Sequence, residues 1–213
     1  LRILGIDPGL TRCGIGIIDV DSRRSARLVH VGVVRGKPGM ATHFRLKQIA
    51  DGIRDAIATY SPELVAIERV FVQDNLQSVT TTMMVMGVAM AETGRANLPM
   101  AVHTPSEVKA AVTGNGKAQK PQVQAMVQRI LGLDAPPKPA DAADALAIAI
   151  CQAWRGSGLL GSGSDEDFSV SLSGKVTSRR ELTPAQQQWA AAQAKTRRTG
   201  AVDPRRRQAK QSK

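Results

Sequence analysis

The opening stretch, Leu1-Arg2-Ile3-Leu4-Gly5-Ile6-Asp7-Pro8-Gly9-Leu10, constrains this chain more than any other. Ile3 to Ile6 is an uninterrupted apolar run, so the strand it predicts is covered on both faces. A carboxylate, Asp7, stands where the run stops, and Pro8-Gly9 turns the chain. A second β-rich run, Cys13 to Val20, returns beside the first. A charge at the edge of a buried strand is costly unless something pairs with it. Asp7 therefore caps the turn, contacts a phosphate or holds a cation, and the rest of the chain has to separate these.

Ala26 to Arg35 reads as a third strand, so the chain opens with an antiparallel meander. A helix follows over about Thr42 to Tyr60, with Leu46, Ile49, Ile53 and Ile57 at intervals of three or four. Ser61-Pro62 stops it. Leu64-Val65-Ala66-Ile67 is then a buried strand reached by a crossover helix, hence parallel to the first. It ends on Glu68, the second buried strand to end in a carboxylate.

Val70-Phe71-Val72 leads into a polar loop, Gln73-Asp74-Asn75. The nearly uncharged segment from about Gln77 to Ala96 predicts a helix that is apolar most of the way round. Such a helix lies either in the core or against another subunit. Met100 to His103 is a short strand, and Thr104-Pro105-Ser106-Glu107 opens a helix with capping-box spacing. Gly114 to Lys120 is a glycine-rich basic loop, and Gln122 to Leu131 is amphipathic. Asp141 to Ile150 forms the last helix of the body, ending near Arg155. The three histidines have no ligand spacing and read as structural.

The composition limits what this body does. The chain has 213 residues, which suggests one domain plus a tail, and a hydrophobic content of 42% supports a core. No apolar run approaches the roughly 20 residues that span a bilayer, and the N-terminus reads as a strand, not a signal peptide. Cys13 and Cys151 sit far apart in apolar segments, which argues for a reducing, cytoplasmic compartment and no disulfide. The net charge of +11 favours a polyanion as partner. Residues 1–156 hold 18 Lys/Arg against 13 Asp/Glu, and residues 157–213 hold 11 against 5. About half of the basic excess thus lies in the segment 157–213, whose Gly/Ser runs and weak periodicity read as a mostly disordered tail.

Four acids stand out: Asp7 and Glu68 at strand ends, Asp141 and Asp144 on the last helix. The helix pair is spaced i, i+3, so both project from one face of its first turn, where the dipole favours negative charge. Ala142, Ala143, Ala145, Ala147 and Ala149 around them let that helix sit close to the sheet. If it crosses the strand ends, four carboxylates converge and need a cation. Hard divalent ions such as Mg²⁺ or Mn²⁺ suit such a site, and a pair of them hydrolyses phosphodiesters. Singly, Asp141 and Asp144 could equally be helix caps or surface ion pairs; that plain reading is weaker for Glu68, and for Asp7 it is the turn cap.

These residues resemble a known family. Gly5-Ile6-Asp7-Pro8-Gly9, Ala66-Ile67-Glu68-Arg69-Val70-Phe71 and Asp141-Ala142-Ala143-Asp144-Ala145-Leu146-Ala147 look like the three acidic motifs of RuvC-type crossover junction endodeoxyribonucleases. The resemblance covers about residues 1–155. It implies an α/β, RNase H-like fold with a mixed five-stranded sheet flanked by helices. It also implies a homodimer, Mg²⁺-dependent symmetric nicking of Holliday junctions, cooperation with the RuvA and RuvB branch-migration proteins, and action at the nucleoid. By position, Asp7, Glu68, Asp141 and Asp144 match the family's catalytic metal ligands. Phe71 matches its base-stacking position, with a core anchor as the plain alternative. Lys109 and Lys120 match lysines near the DNA; apart from the resemblance, Lys117 in the glycine-rich loop that ends at Lys120 is a candidate phosphate contact; each could instead be a solvated lysine. The apolar 77–96 helix fits the dimer seam.

Two other readings compete. A sugar kinase or actin-type ATPase also opens with a strand hairpin and an Asp, but needs a longer chain and a second glycine-rich phosphate turn. A non-catalytic four-way-junction binding protein would gain by losing the four acids.

Overall fold

The structure, a computed structural model, describes residues 1–69, 76–155 and 159–160. All of them fall within the first of two units into which the chain divides, Leu1–Ser173. Phe71 and nearly all of the tail lie outside the described residues.

The meander forms as the apolar runs predict. Strands β1 (Arg2–Asp7), β2 (Arg12–Val20) and β3 (Ala26–Arg35) pair antiparallel in succession. Helix α1 (Thr42–Tyr60) then crosses over; Ser61 ends it in the left-handed region at φ 48° and returns its N–H to the Ile57 carbonyl. Strand β4 (Leu64–Glu68) lies parallel to β1, and β5 (Met100–His103) lies parallel to β4. Helix α2 (Leu76–Arg95) connects them. Helices α3 (Pro105–Thr113), α4 (Lys120–Leu131) and α5 (Ala140–Arg155) complete the body. The expected capping box closes the start of α3: Thr104 Oγ1 accepts the Glu107 N–H, and Glu107 accepts the Thr104 N–H. Helix α4 starts two residues earlier than its apolar stripe, because Gln122 Oε1 accepts the Gln119 N–H at 2.8 Å and so caps the turn before it.

The sheet order is β3-β2-β1-β4-β5-β6. The five expected strands make the mixed sheet, and a two-residue strand, β6 (Leu159–Leu160), adds antiparallel to the edge of β5. It lies past residue 156, where apolar periodicity stops, and consists of an apolar pair within the Gly/Ser-rich run.

Both faces of β1 are covered, as its unbroken apolar run requires. Ile3 packs with α3, α4 and α5 on one side. Leu4 and Ile6 pack with Ile49, Ile53, Val85 and Ala89 of α1 and α2 on the other. The expectation for α2 splits in two. Val85, Met86 and Ala89 are buried in this core and Val79 is also buried, while Met83 and Met84 are 47% and 43% exposed.

Candidate active site

The chain reversal at each strand end brings the same edge of the sheet together. β1 and β4 run parallel with Ile6 beside Ile67, so Asp7 and Glu68 leave neighbouring strand ends. β2, antiparallel to β1, begins at that edge, and the register sets Asp7 opposite Gly14 and Gly5 opposite Gly16.

Those glycines position α5. A Cβ on Gly14 would lie 2.1 Å from the Asp141 carbonyl oxygen, and one on Gly5 would lie 2.1 Å from that of Ala145. A Cβ on Gly16 would lie 2.7 Å from the Leu146 nitrogen. Each is an overlap with helix backbone, which cannot move aside as a flexible side chain would. A glycine floor on the sheet thus meets the alanine face of the helix, and α5 drops close enough for its first turn to reach Asp7.

As a result, Asp7, Asp141 and Asp144 each offer a carboxylate oxygen, all within 4.8 Å of one another. Glu68 stands outside this tight group but close enough to interact: its charge raises the Asp7 pKa, and the Asp144 charge raises that of Glu68. Burial and the neighbouring acids push both Asp7 and Glu68 up to about 7. The two helix acids are instead paired with cations. Lys120 Nζ lies 2.6 Å from Asp144 Oδ2, and Arg12 Nε lies 2.8 Å from Asp141 Oδ2. The Arg12 N–H is poorly aimed, so Asp141 Oδ2 remains buried without a hydrogen bond.

This donor set fits a hard divalent cation. It consists of carboxylate oxygens alone, carries an orphaned buried oxygen, and holds two acids that resist ionisation without a nearby positive charge. Among the described residues no soft ligand joins the group: Cys13 and Cys151 are buried free thiols whose pKa burial pushes up to about 12.

Beside the acids lies a cavity of about 230 Å³ lined by Glu68, Lys109, Lys120, Val123 and Asp144 among others. Lys109 and Lys120 oppose the rise in the Glu68 pKa, which places their charge at the acids. Lys117 is not among the cavity's lining residues; it is exposed on the loop, its N–H bonded to Asn115 Oδ1 at 2.9 Å. Two of the three histidines have partners within the fold. His103, paired with Glu68 across β4 and β5, bonds Gln152 Oε1 at 2.6 Å through Nε2, and burial lowers its pKa. His30 stacks on Tyr60.

Two features of the site were not among the expectations from the sequence, although one of them left a signal there. The glycine floor was visible as Gly5 and as the alternation Gly14-Ile15-Gly16, which marks close backbone approach on one face of a strand. Arg12 gave no signal, because its partner lies far away in sequence.

A family model described as "Crossover junction endodeoxyribonuclease RuvC" matches residues 3–152. A relative of that description from Leifsonia xyli subsp. xyli is 53% identical over 213 residues, covering 97% of this chain and 98% of its own. One from Clavibacter sepedonicus is 50% identical over 91% of this chain and 97% of its own. Among solved structures, Thermus thermophilus RuvC superimposes with a TM-score of 0.70 at 32% identity, covering 75% of this chain and 100% of that one. The same protein in complex with a Holliday junction substrate gives 0.71 at 32% identity, covering 75% of this chain and 99% of that one. The chain therefore belongs to the RuvC family of crossover junction endodeoxyribonucleases.

Proposed function

We propose that this chain resolves Holliday junctions by metal-dependent hydrolysis of two phosphodiester bonds. The observation that carries the reading is the convergence of Asp7, Asp141 and Asp144 oxygens within 4.8 Å, with Glu68 adjoining. A non-catalytic junction binder is the weaker reading, since a buried acid cluster repels the phosphate it would have to hold.

In this account Asp7, Glu68, Asp141 and Asp144 are the ligands of Mg²⁺, for which Mn²⁺ substitutes. Bound there, such ions supply a water nucleophile at neutral pH and neutralise the leaving oxygen. The protein's own part is orientation and charge. The glycine floor sets the distance between helix acids and Asp7. Lys109 and Lys120, at the cavity beside Glu68, hold the phosphate of the strand to be cut. Lys117, out on the loop, contacts the backbone further along. Phe71 stacks on an unpaired base at the junction centre, a contact worth about 1–3 kcal/mol.

Two symmetric cuts need two copies of the site, so the enzyme acts as a homodimer. The exposed Met83 and Met84 on α2 supply an apolar surface for that contact. The RuvA–RuvB complex is the expected partner in branch migration. No helix among the described residues is long and apolar enough to cross a membrane. The buried thiols suit a reducing cytoplasmic setting.

The test is cleavage of a labelled four-way junction against a linear duplex of the same sequence, each with Mg²⁺ and with EDTA. Paired nicks in the junction arms with Mg²⁺, and little cutting of the duplex, are expected. Equal cutting of both substrates, or cutting in EDTA, would contradict the reading.

A further inference from the structure

Arg12 stands at the start of β2 with its guanidinium against Asp141, although its side chain is 51% exposed and that of Asp141 only 18%. The contact is at ion-pair distance but leaves the buried Asp141 Oδ2 without a hydrogen bond. It is a contact of charge more than of geometry, and a directed ligand would displace it. Directly across the ladder from Arg12 is Arg35, the last residue of β3. Arg35 is exposed and has no ion pair among the described residues. Two like charges opposite each other on adjacent strands destabilise a sheet. Here one of them is neutralised by Asp141 and the other faces water.

We propose that Arg12 is an exchangeable counter-ion: it holds Asp141 in the metal-free site and turns to a DNA phosphate, beside Arg35, when metal fills the acid cluster. This rests on the reading of the four acids as metal ligands. The physical logic is charge balance. Without metal, Asp141 is a largely buried carboxylate next to two other acids, and losing its cation would leave it uncompensated. With metal, Asp141 has a better partner, and a second cation in the cluster is repelled. The freed guanidinium then lies next to Arg35 at the strand edge, and together they offer planar donors to a phosphate. Lys109 and Lys120 stand on the β4 side of the acids, and Arg12 and Arg35 stand on the β3 side. The scissile strand is thereby held from both sides.

The test compares the full-length chain with Arg12→Gln and with Arg27→Gln, a control at the far end of β3. Free Mn²⁺ is followed by electron paramagnetic resonance without DNA. Arg12→Gln should bind Mn²⁺ about three- to tenfold more tightly than wild type, and Arg27→Gln should match wild type. In EDTA, Arg12→Gln should melt below wild type, and saturating Mn²⁺ should close that gap. A purely structural ion pair would leave the gap open in both buffers. In Ca²⁺ buffer, junction affinity by fluorescence anisotropy should fall about three- to tenfold in Arg12→Gln. In EDTA it should fall no more than in Arg27→Gln. Unchanged or weaker Mn²⁺ binding by Arg12→Gln would overturn the exchange while leaving the metal site itself standing. A wild-type chain that binds no Mn²⁺ would overturn both.

Discussion

Gly14 lies beneath Asp141: a Cβ at position 14 would come within 2.1 Å of the Asp141 carbonyl oxygen and 3.1 Å of the Asp7 Cβ. The absence of one side chain on β2 therefore sets the distance between two proposed metal ligands that are far apart in sequence.

Gly14→Ala forces the first turn of α5 off the sheet, because the overlap is with backbone. Overpacking of this kind costs about 1–3 kcal/mol of stability. Misplacing a catalytic group by about 1 Å costs on the order of 100-fold in rate. Junction cleavage should therefore fall far more steeply than urea stability. A variant that loses stability but cuts at the wild-type rate would show that α5 tolerates the shift.

The pH dependence of the metal-free fold follows from the raised Asp7 and Glu68 pKa values of about 7. The folded state binds these protons more tightly than the unfolded chain, where carboxylates titrate near their ordinary values. That contribution is complete below about pH 4 and is lost as the pH rises to about 7, on the order of a few kcal/mol for the coupled pair. In EDTA, wild type should thus lose thermal stability relative to Asp7→Asn between pH 5 and pH 8. Comparing the two proteins cancels His103, whose lowered pKa acts in the opposite sense. Mg²⁺ should remove most of the difference. A flat wild-type-minus-variant profile in EDTA would contradict the crowding of the acids.

On the opposite face of the sheet, Arg54 of α1 grips the buried Glu92 of α2 with two hydrogen bonds of 3.0 Å, and Arg95 also pairs with that carboxylate. Arg54→Ala should lower the midpoint of urea unfolding, with Arg54→Lys in between. The rate of junction cleavage at a temperature where the variant is folded should not change, since this pair does not touch the acid cluster.

Much of this architecture is legible because each of its signals is local. Ile3–Ile6 and Leu64–Ile67 mark buried strands, Ser61-Pro62 marks a helix end, and Thr104 with Glu107 marks a helix start. The acids are legible for a different reason: one carboxylate at the end of an apolar run could simply cap a turn, but two such ends and an i, i+3 acidic pair predict a shared partner. What stayed hidden was pairing across distance. Arg12 meets Asp141, and Gly5, Gly14 and Gly16 meet α5, only after the meander and the last helix are assembled. Lys109, Lys117 and Lys120 look alike in sequence. Packing separates them: Lys109 and Lys120 line the cavity at Glu68, and Lys117 stays on the exposed loop. Likewise α2 reads as apolar most of the way round, and only the folded chain distinguishes its core face from the exposed Met83 and Met84.

The most direct test of the metal-centred account is Asp7→Asn, assayed for junction cleavage in Mg²⁺ and for junction binding in EDTA. The change removes one ligand charge and keeps the shape of the side chain. Cleavage should drop to background while metal-free binding stays at the wild-type level or tightens, as one negative charge near phosphate is gone. Cleavage at the wild-type rate would contradict the claim that Asp7, Asp141 and Asp144 hold the catalytic metal.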